Sequence, residues 1–412
     1  MKRLVLLLLI AATHATSRSQ TSSEDSLYNR AVSLLNASEK ESAVSVLTQL
    51  LNQYPKSAKS YNLYGAILLG QGDTREALDM FRTSVQADST FWMGYMNLGN
   101  TYTDLGELDS AIAVHSFLVS RHSANGDYYN DLGDAYMKKK EVRQAETCFL
   151  KAVQLNPHYV LAHRNLGAAY AAQEKYKEAV DELYIVRTMD GHFPGLQDEL
   201  YHVTQSAESA FKEWVERAPG NADAHYYYSF FLYYDEDREE AVEALDRAIA
   251  LDGKEEKYYL LRALWLWNLK KYDRAMSDCR KCLELNPGSW QAHKLLASCY
   301  ESLQDFPKAI EHLQTAIRID SLVVGSRFRL GETYGISEEY QKAIDELQAA
   351  LRLGHKSPLA NYDMAICYYK LGNYEQALYN LRLARSRNAR YPRKGLSADL
   401  DELQKQIEAK MR

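Results

Sequence analysis

The chain has 412 residues, 46% apolar and 25% charged, and its 49 Lys and Arg against 55 Asp and Glu leave a net charge of −6. That composition excludes a disordered, collagen-like or multi-span membrane chain, and so small a charge over so long a chain supplies no field for nucleic acid. With 8 prolines and 20 glycines, helix breakers are scarce, which favours an all-α protein.

At the N-terminus Lys2 and Arg3 precede a nine-residue apolar run, Leu4 to Ala12, and the small residues Ala15, Thr16 and Ser17 follow. This pattern predicts a signal peptide over residues 1–17, cleaved after Ala15 or Ser17. The run is under half of the roughly 20 apolar residues that a membrane-spanning helix needs. Residues 18–23 carry no apolar side chain and are expected to form a flexible leader. The mature chain is therefore expected to be exported, periplasmic or secreted.

From residue 24 the chain repeats with a period of 34, since Tyr95-Met-Asn-Leu-Gly99, Tyr129-Asn-Asp-Leu-Gly133 and His163-Arg-Asn-Leu-Gly167 are spaced so, with Tyr102, Tyr136 and Tyr170 three residues after each glycine. Five copies start at 24, 58, 92, 126 and 160 and fill 24–193; five more start at 222, 256, 290, 324 and 358 and fill 222–391. Position 8 is small in every copy, and position 20 is alanine in all ten, from Ala43 to Ala377. Two helix backbones that approach closely need such small residues between them. The copy at 126–159 carries Tyr129, Leu132, Gly133, Tyr136, Ala145, Phe149, Ala152 and Pro157. This spacing resembles the tetratricopeptide repeat family. The resemblance implies an all-α superhelical solenoid of stacked antiparallel helix pairs, each completing its apolar face against its neighbours.

Between the two blocks, residues 194–221 are six short of a repeat. Ala207, Phe211, Trp214 and Pro219 match a second helix, while Gly191-His-Phe-Pro-Gly195 falls where a first helix should run. The segment reads as a truncated, irregular repeat, which leaves open two lobes, 24–193 and 222–391, or one rigid array. In residues 392–412, Leu396, Leu400, Leu403 and Ile407 at helical spacing predict a polar-faced capping helix.

No HExxH, GxSxG, GxxxxGK or GxGxxG motif occurs, and the 11 histidines lack metal-ligand spacing. Neither an enzyme nor a cofactor is expected, and no metal site. What remains is a scaffold for a protein or peptide partner, without nucleic acid and with membrane contact only indirect. The alternative is a cell-envelope assembly or secretion factor working through a membrane-bound partner.

The resemblance implies a concave groove lined by positions 2, 5, 9, 12 and 13 of each first helix. In the second block this points to Tyr226, Phe230, Tyr233 and Tyr234, with Leu260, Leu264 and Trp267 beside them, as aromatic anchors for a partner, unless a neighbouring segment covers them. In the first block Asn97, Asp131 and Asn165 recur at position 6, where polar side chains suit a peptide backbone or a solvated face. The family's carboxylate clamp is absent: Lys294 supplies its first lysine, but Ser298, Arg329, Leu359 and Asp363 follow. Cys279 and Cys282 stand on the second helix of their repeat, facing in the family the first helix that carries Cys299. Either Cys299 pairs with Cys279 or Cys282, or all are buried thiols. Acidic residues cluster at Asp235, Glu236, Asp237, Glu239, Glu240 and Glu243, and basic ones at Arg382, Arg385, Arg387, Arg390, Arg393 and Lys394; each cluster is a steering surface or a solvated face.

Overall fold

The computed structural model describes residues 23–36, 39–190, 193, 195–355, 357–390 and 395–411, so the expected signal peptide and residues 18–22 of the leader lie outside it. The described residues form helices and no strands. Two compact units divide between Ala169 and Tyr170. The first holds α1 (Ser23–Asn36), α2 (Lys40–Gln53), α3 (Ala58–Gln71), α4 (Thr74–Ala87), α5 (Trp92–Leu105), α6 (Leu108–Arg121), α7 (Gly126–Lys138) and α8 (Val142–Leu155), and the division falls within α9 (Val160–Ala171). The second holds α10 (Tyr176–Met189), α11 (Leu196–Ser206), α12 (Glu208–Arg217), α13 (Ala222–Tyr234), α14 (Arg238–Leu251), α15 (Glu256–Asn268) and α16 (Tyr272–Leu285). It continues through α17 (Trp290–Ser302), α18 (Phe306–Ile319), α19 (Val324–Ile336), α20 (Tyr340–Arg352), α21 (Leu359–Lys370), α22 (Tyr374–Arg390) and α23 (Leu396–Met411).

Within each unit the helices stack as antiparallel pairs, and the two small-residue columns explain how closely. Every alanine at position 20 is fully buried. A Cβ on Gly65 would lie 2.6 Å from the Phe81 ring, one on Gly133 2.5 Å from Phe149, and one on Gly331 2.6 Å from Leu347. Each glycine is thus the seat of a large side chain from the second helix of its own pair.

In nine of the described pairs the inner turn has a single backbone solution. Position 15 is left-handed at Gly72, Gly106 and Gly372 (φ 99°, 77° and 75°), and equally at Lys140, Glu174, Glu236, Lys270, Gln304 and Glu338, with φ between 58° and 71°. At Lys140 the flanking amides close the helix end, Glu141 N donating to Tyr136 O (2.9 Å) and Lys140 N to Met137 O (3.0 Å). A side chain there is strained where glycine is not. Lys140→Gly and Glu236→Gly, one in each unit, are each expected to raise stability by up to about 1 kcal/mol. Urea unfolding checks this, and unchanged or lower midpoints would show the turn to be unstrained. Between pairs, Asp88, Asn156, Asp252, Asn286 and Asp320 each accept a backbone N–H two residues on (2.8–3.1 Å), which fixes the outer turn.

The segment 194–221 retains a first helix, short α11, followed by short α12, whose Phe211 is buried; Gly191, His192 and Pro194 lie outside the described residues. α11 packs on α10 and α13, and α12 on α13, so these helices are continuous with the second unit. At its end, α23 buries Leu396, Leu400, Leu403 and Ile407 against Ala377, Leu381 and Ala384. No helix among the described residues is long and apolar enough to cross a membrane.

Candidate binding cavity

In the second unit, α10 lies along the first helices of the pairs that follow it. The Tyr227 hydroxyl donates to Asp181 (2.7 and 2.8 Å), and the Tyr184 ring meets Phe230 edge to face at 5.6 Å. One turn on, Arg187 donates to the Tyr234 hydroxyl (2.8 Å) and lies over the Trp265 ring (5.6 Å). The last carbonyls of α10 then meet α17 and α19: Lys294 Nζ donates to Thr188 O (2.7 Å), and a Cβ on Gly325 would stand 2.5 Å from Met189 O. Beyond the helix, Asp190 sits 3.4 Å from His355, both buried, and His355 stacks on Phe328 at 4.3 Å. From Asp181 to Asp190 the chain thus passes α13, α15, α17 and α19 in turn. Lys294 places its ammonium on a helix C-terminus, where carbonyls lack partners and the dipole is negative.

This path corrects the expectation of an open aromatic face. Tyr226, Phe230, Tyr233 and Tyr234 are at most 8% exposed, so they pack rather than present anchors. Tyr233 stacks flat on Trp265 (3.6 Å, 9°), Phe230 meets Trp265 edge to face, and Tyr226 leans on Tyr258. α10 covers the stripe, and α12 adds Phe211 and Trp214 stacked on Tyr227.

Leu260, Leu264 and Trp267 are placed differently. They form one wall of a cavity of about 490 Å³ closed by Leu295 and Trp290 on α17, Gly325 and Arg329 on α19, and Tyr184, Arg187 and Leu196 on the α10–α11 side. Trp267 is held by its indole N–H, which donates to Ser298 O (3.1 Å) and Ser302 Oγ (3.2 Å). Apolar walls with a few convergent polar groups and this volume are the usual anatomy of a ligand site. Its charge is mostly positive. Burial, with Arg329 and Arg187 nearby, pushes the Lys294 amine down to about 8 against the pull of Asp190 and Glu301. Arg329 is already engaged by Glu301 and by Ser298 Oγ (3.2 Å).

Of these residues, Arg187, Trp265, Gly325 and the Asp190–His355 pair had no place in the sequence expectation. Gly325 left one signal, being the only glycine at position 2 of any repeat.

The polar column of the first unit is turned to internal use. Asn97 Nδ2 donates to Asn62 Oδ1 (2.7 Å) and Asn165 Nδ2 to Asn130 Oδ1 (2.9 Å), both pairs buried, so position 6 of one repeat bonds position 5 of the repeat before. Asp131 is also buried and accepts from Asn100 (3.4 Å). Of the two alternatives for the cysteines, the structure has the buried thiols: Cys279, Cys282 and Cys299 are free, as are Cys148 and Cys367, and all are buried. Burial pushes Cys282 and Cys299 up to about 12 and Cys279 well above its ordinary value, which withholds the thiolate that oxidation requires. The acidic cluster is exposed, with Glu239 paired to Lys271. In the basic cluster Arg385 pairs with Asp401 and Arg387 donates to His355 O (3.0 Å), while Arg393, Lys394 and the Arg390 side chain lie outside the described residues. Among the described residues no group of three or more His, Cys, Asp or Glu could hold a metal ion.

Tetratricopeptide repeat models match residues 25–57, 94–114 and 328–392, a TPR repeat model matches 133–174, and the model for anaphase-promoting complex, cyclosome, subunit 3 matches 236–316. Similar curated proteins include the mitochondrial import receptor subunit TOM70 of Rattus norvegicus (23% identical, 55% of this chain, 38% of that protein). Others are human DnaJ homolog subfamily C member 7 (21%, 65% and 61%) and the TPR repeat-containing protein YpiA of Bacillus subtilis (22%, 55% and 55%). The chain thus spans less than two thirds of each of these relatives. Among solved structures, yeast Tom70 is 12% identical over 94% of this chain and 95% of its own, at a TM-score of 0.45. MamA of Desulfovibrio magneticus is 20% identical over 41% of this chain and 95% of its own, at 0.38. The repeat matches along the chain support a tetratricopeptide repeat protein.

Proposed function

We propose that this chain, built as a tetratricopeptide repeat scaffold, is exported and holds a short segment of a protein partner in the cavity between α10 and the first helices α15, α17 and α19. The observation that carries this is the cavity itself: Leu260, Leu264 and Trp267, taken from the sequence as groove residues, line space that α10 leaves unfilled. The volume suits a few peptide side chains rather than a whole partner helix, because α10 already occupies that position. Support for a protein partner comes from the repeat matches and from a relative named as an import receptor subunit. Support for export is the basic, apolar and small-residue order of residues 2–17. The engaged Arg385 and Arg387 favour a packing role for the C-terminal basic cluster over membrane steering.

The test is selection from a displayed random-peptide library with the intact chain purified from the exported fraction. Peptides that bind the wild type and lose at least about tenfold in affinity to Leu264→Glu, with the unfolding midpoint preserved, support the cavity. No selected peptide, or equal binding by the variant, overturns it. N-terminal sequencing of the same preparation supports export if it starts at Thr16 or Arg18, and an intact Met1 overturns it.

A further inference from the structure

In three successive helix pairs of the second unit, position 4 of the first helix meets position 23 of the second through polar groups. Arg327 donates to Glu346 (2.8 Å), Asn361 donates to Asn380 (3.1 Å), and His293 Nδ1 stands 2.9 Å from His312 Nδ1. The two imidazole centroids are 5.2 Å apart, so the nitrogens meet head to head with one proton between them. A metal ion in that place would need about 2 Å to each nitrogen, which so narrow a gap does not give. His312 also stacks on Tyr300 (5.5 Å, 8°), so two residues of α17 grip one side chain of α18. His293 directly precedes Lys294 and Leu295, which line the cavity together with Trp290 and Ser298 of the same helix.

We propose that the His293–His312 contact is an acid-sensitive staple: when both rings are protonated, α18 parts from α17 and the cavity wall carried by α17 loosens. One added proton still leaves an acceptor, so the bond survives it; a second sets two N–H groups and two positive charges face to face. Both rings are half-buried, so protons reach them while their surroundings resist the charge. Burial, then His312 and Arg318, hold His293 below the ordinary 6.5; burial does the same to His312, with Arg280 of α16 adding to it and Glu311 opposing. Groups lowered in this way stabilise the folded chain fully above that ordinary value and lose their contribution as pH falls below it. Asn361 and Asn380 fill the equivalent place without a titratable group and keep their bond in acid. The wall loosens whatever ligand the cavity holds.

The test compares the intact wild-type chain with the double variant His293→Asn, His312→Asn, which copies the Asn361–Asn380 pair. Amide exchange is followed at about pH 7.5 and about pH 5.5 and corrected for the intrinsic pH dependence of exchange. The expected result is a fall of about tenfold in wild-type protection across 291–299 of α17 and 310–316 of α18 on acidification, with protection in the double variant unchanged. Unchanged wild-type protection, or an equal fall in the double variant, overturns the proposal. Should the double variant not fold, nitrogen-15 spectra of histidine-labelled wild type give the answer. One Nδ1–H and one Nε2–H tautomer, with the two rings titrating in separate steps, is the expected pattern. Two Nε2–H tautomers titrating together near the ordinary histidine value overturn it.

Discussion

Trp265→Ala is expected to destabilise the second unit by about 3–5 kcal/mol, the largest effect of any single substitution considered. Trp265 is fully buried on α15 and joins four neighbours, lying flat on Tyr233, edge to face with Phe230 and Tyr234, and beneath the Arg187 guanidinium. Its removal leaves a cavity lined by three rings that cannot collapse together, because each is pinned from another side, Phe230 by Tyr184, Tyr234 by the Arg187 hydrogen bond and Tyr233 by the Arg238 guanidinium over its ring. Urea unfolding followed by circular dichroism is the measurement. A loss below about 1 kcal/mol would mean that the aromatic cluster is loosely held and that α10 does not seal it.

Gly325→Ala is expected to cost about 1–3 kcal/mol and to remove the cavity. In a helix this substitution ordinarily stabilises, by up to about 1 kcal/mol. Here the added methyl would lie 2.5 Å from Met189 O and 3.0 Å from Lys294 Nζ, and a backbone oxygen cannot rotate aside as a side chain can. Either α19 retreats or the end of α10 lifts, and in both cases Lys294 loses its carbonyl and the wall beside Arg187 moves. Gly70→Ala is the control, since nothing lies within 4 Å of its added methyl and the ordinary gain should appear. Amide exchange across residues 186–190 should quicken in Gly325→Ala. Unchanged exchange with stability raised as in Gly70→Ala would show that α10 and α19 are not in contact.

The repeat architecture was legible because it rests on close contacts between residues near in sequence: a small residue at position 8 and an alanine at position 20 define a helix pair by themselves. The turn was legible only in part. Glycine marks position 15 at Gly72, Gly106 and Gly372, whereas at Lys140 and five other positions the two flanking helices impose the left-handed backbone on a residue that does not prefer it. Register carries that information and residue type does not. The asparagine column is visible in the sequence, whereas nothing there marks its partners: Asn62 and Asn130, one position earlier in the preceding repeat, bond Asn97 and Asn165.

The site lay further from reach. The residues of the aromatic stripe at Tyr226 cluster, but they are covered by α10, whose Arg187 reaches Tyr234 across 47 residues and whose Thr188 receives Lys294 across 106. No period of 34 encodes contacts of that separation, because they depend on how successive pairs accumulate rotation. Lys294, the lone lysine at position 5, joins α17 to the end of α10.

The most direct test of the account is hydrogen exchange on the intact protein with and without a saturating selected peptide. Protection confined to the end of α10 and to the segments around 260–267 and 291–298 is the predicted footprint. Protection in residues 24–169, or none at these cavity-lining segments, would contradict it.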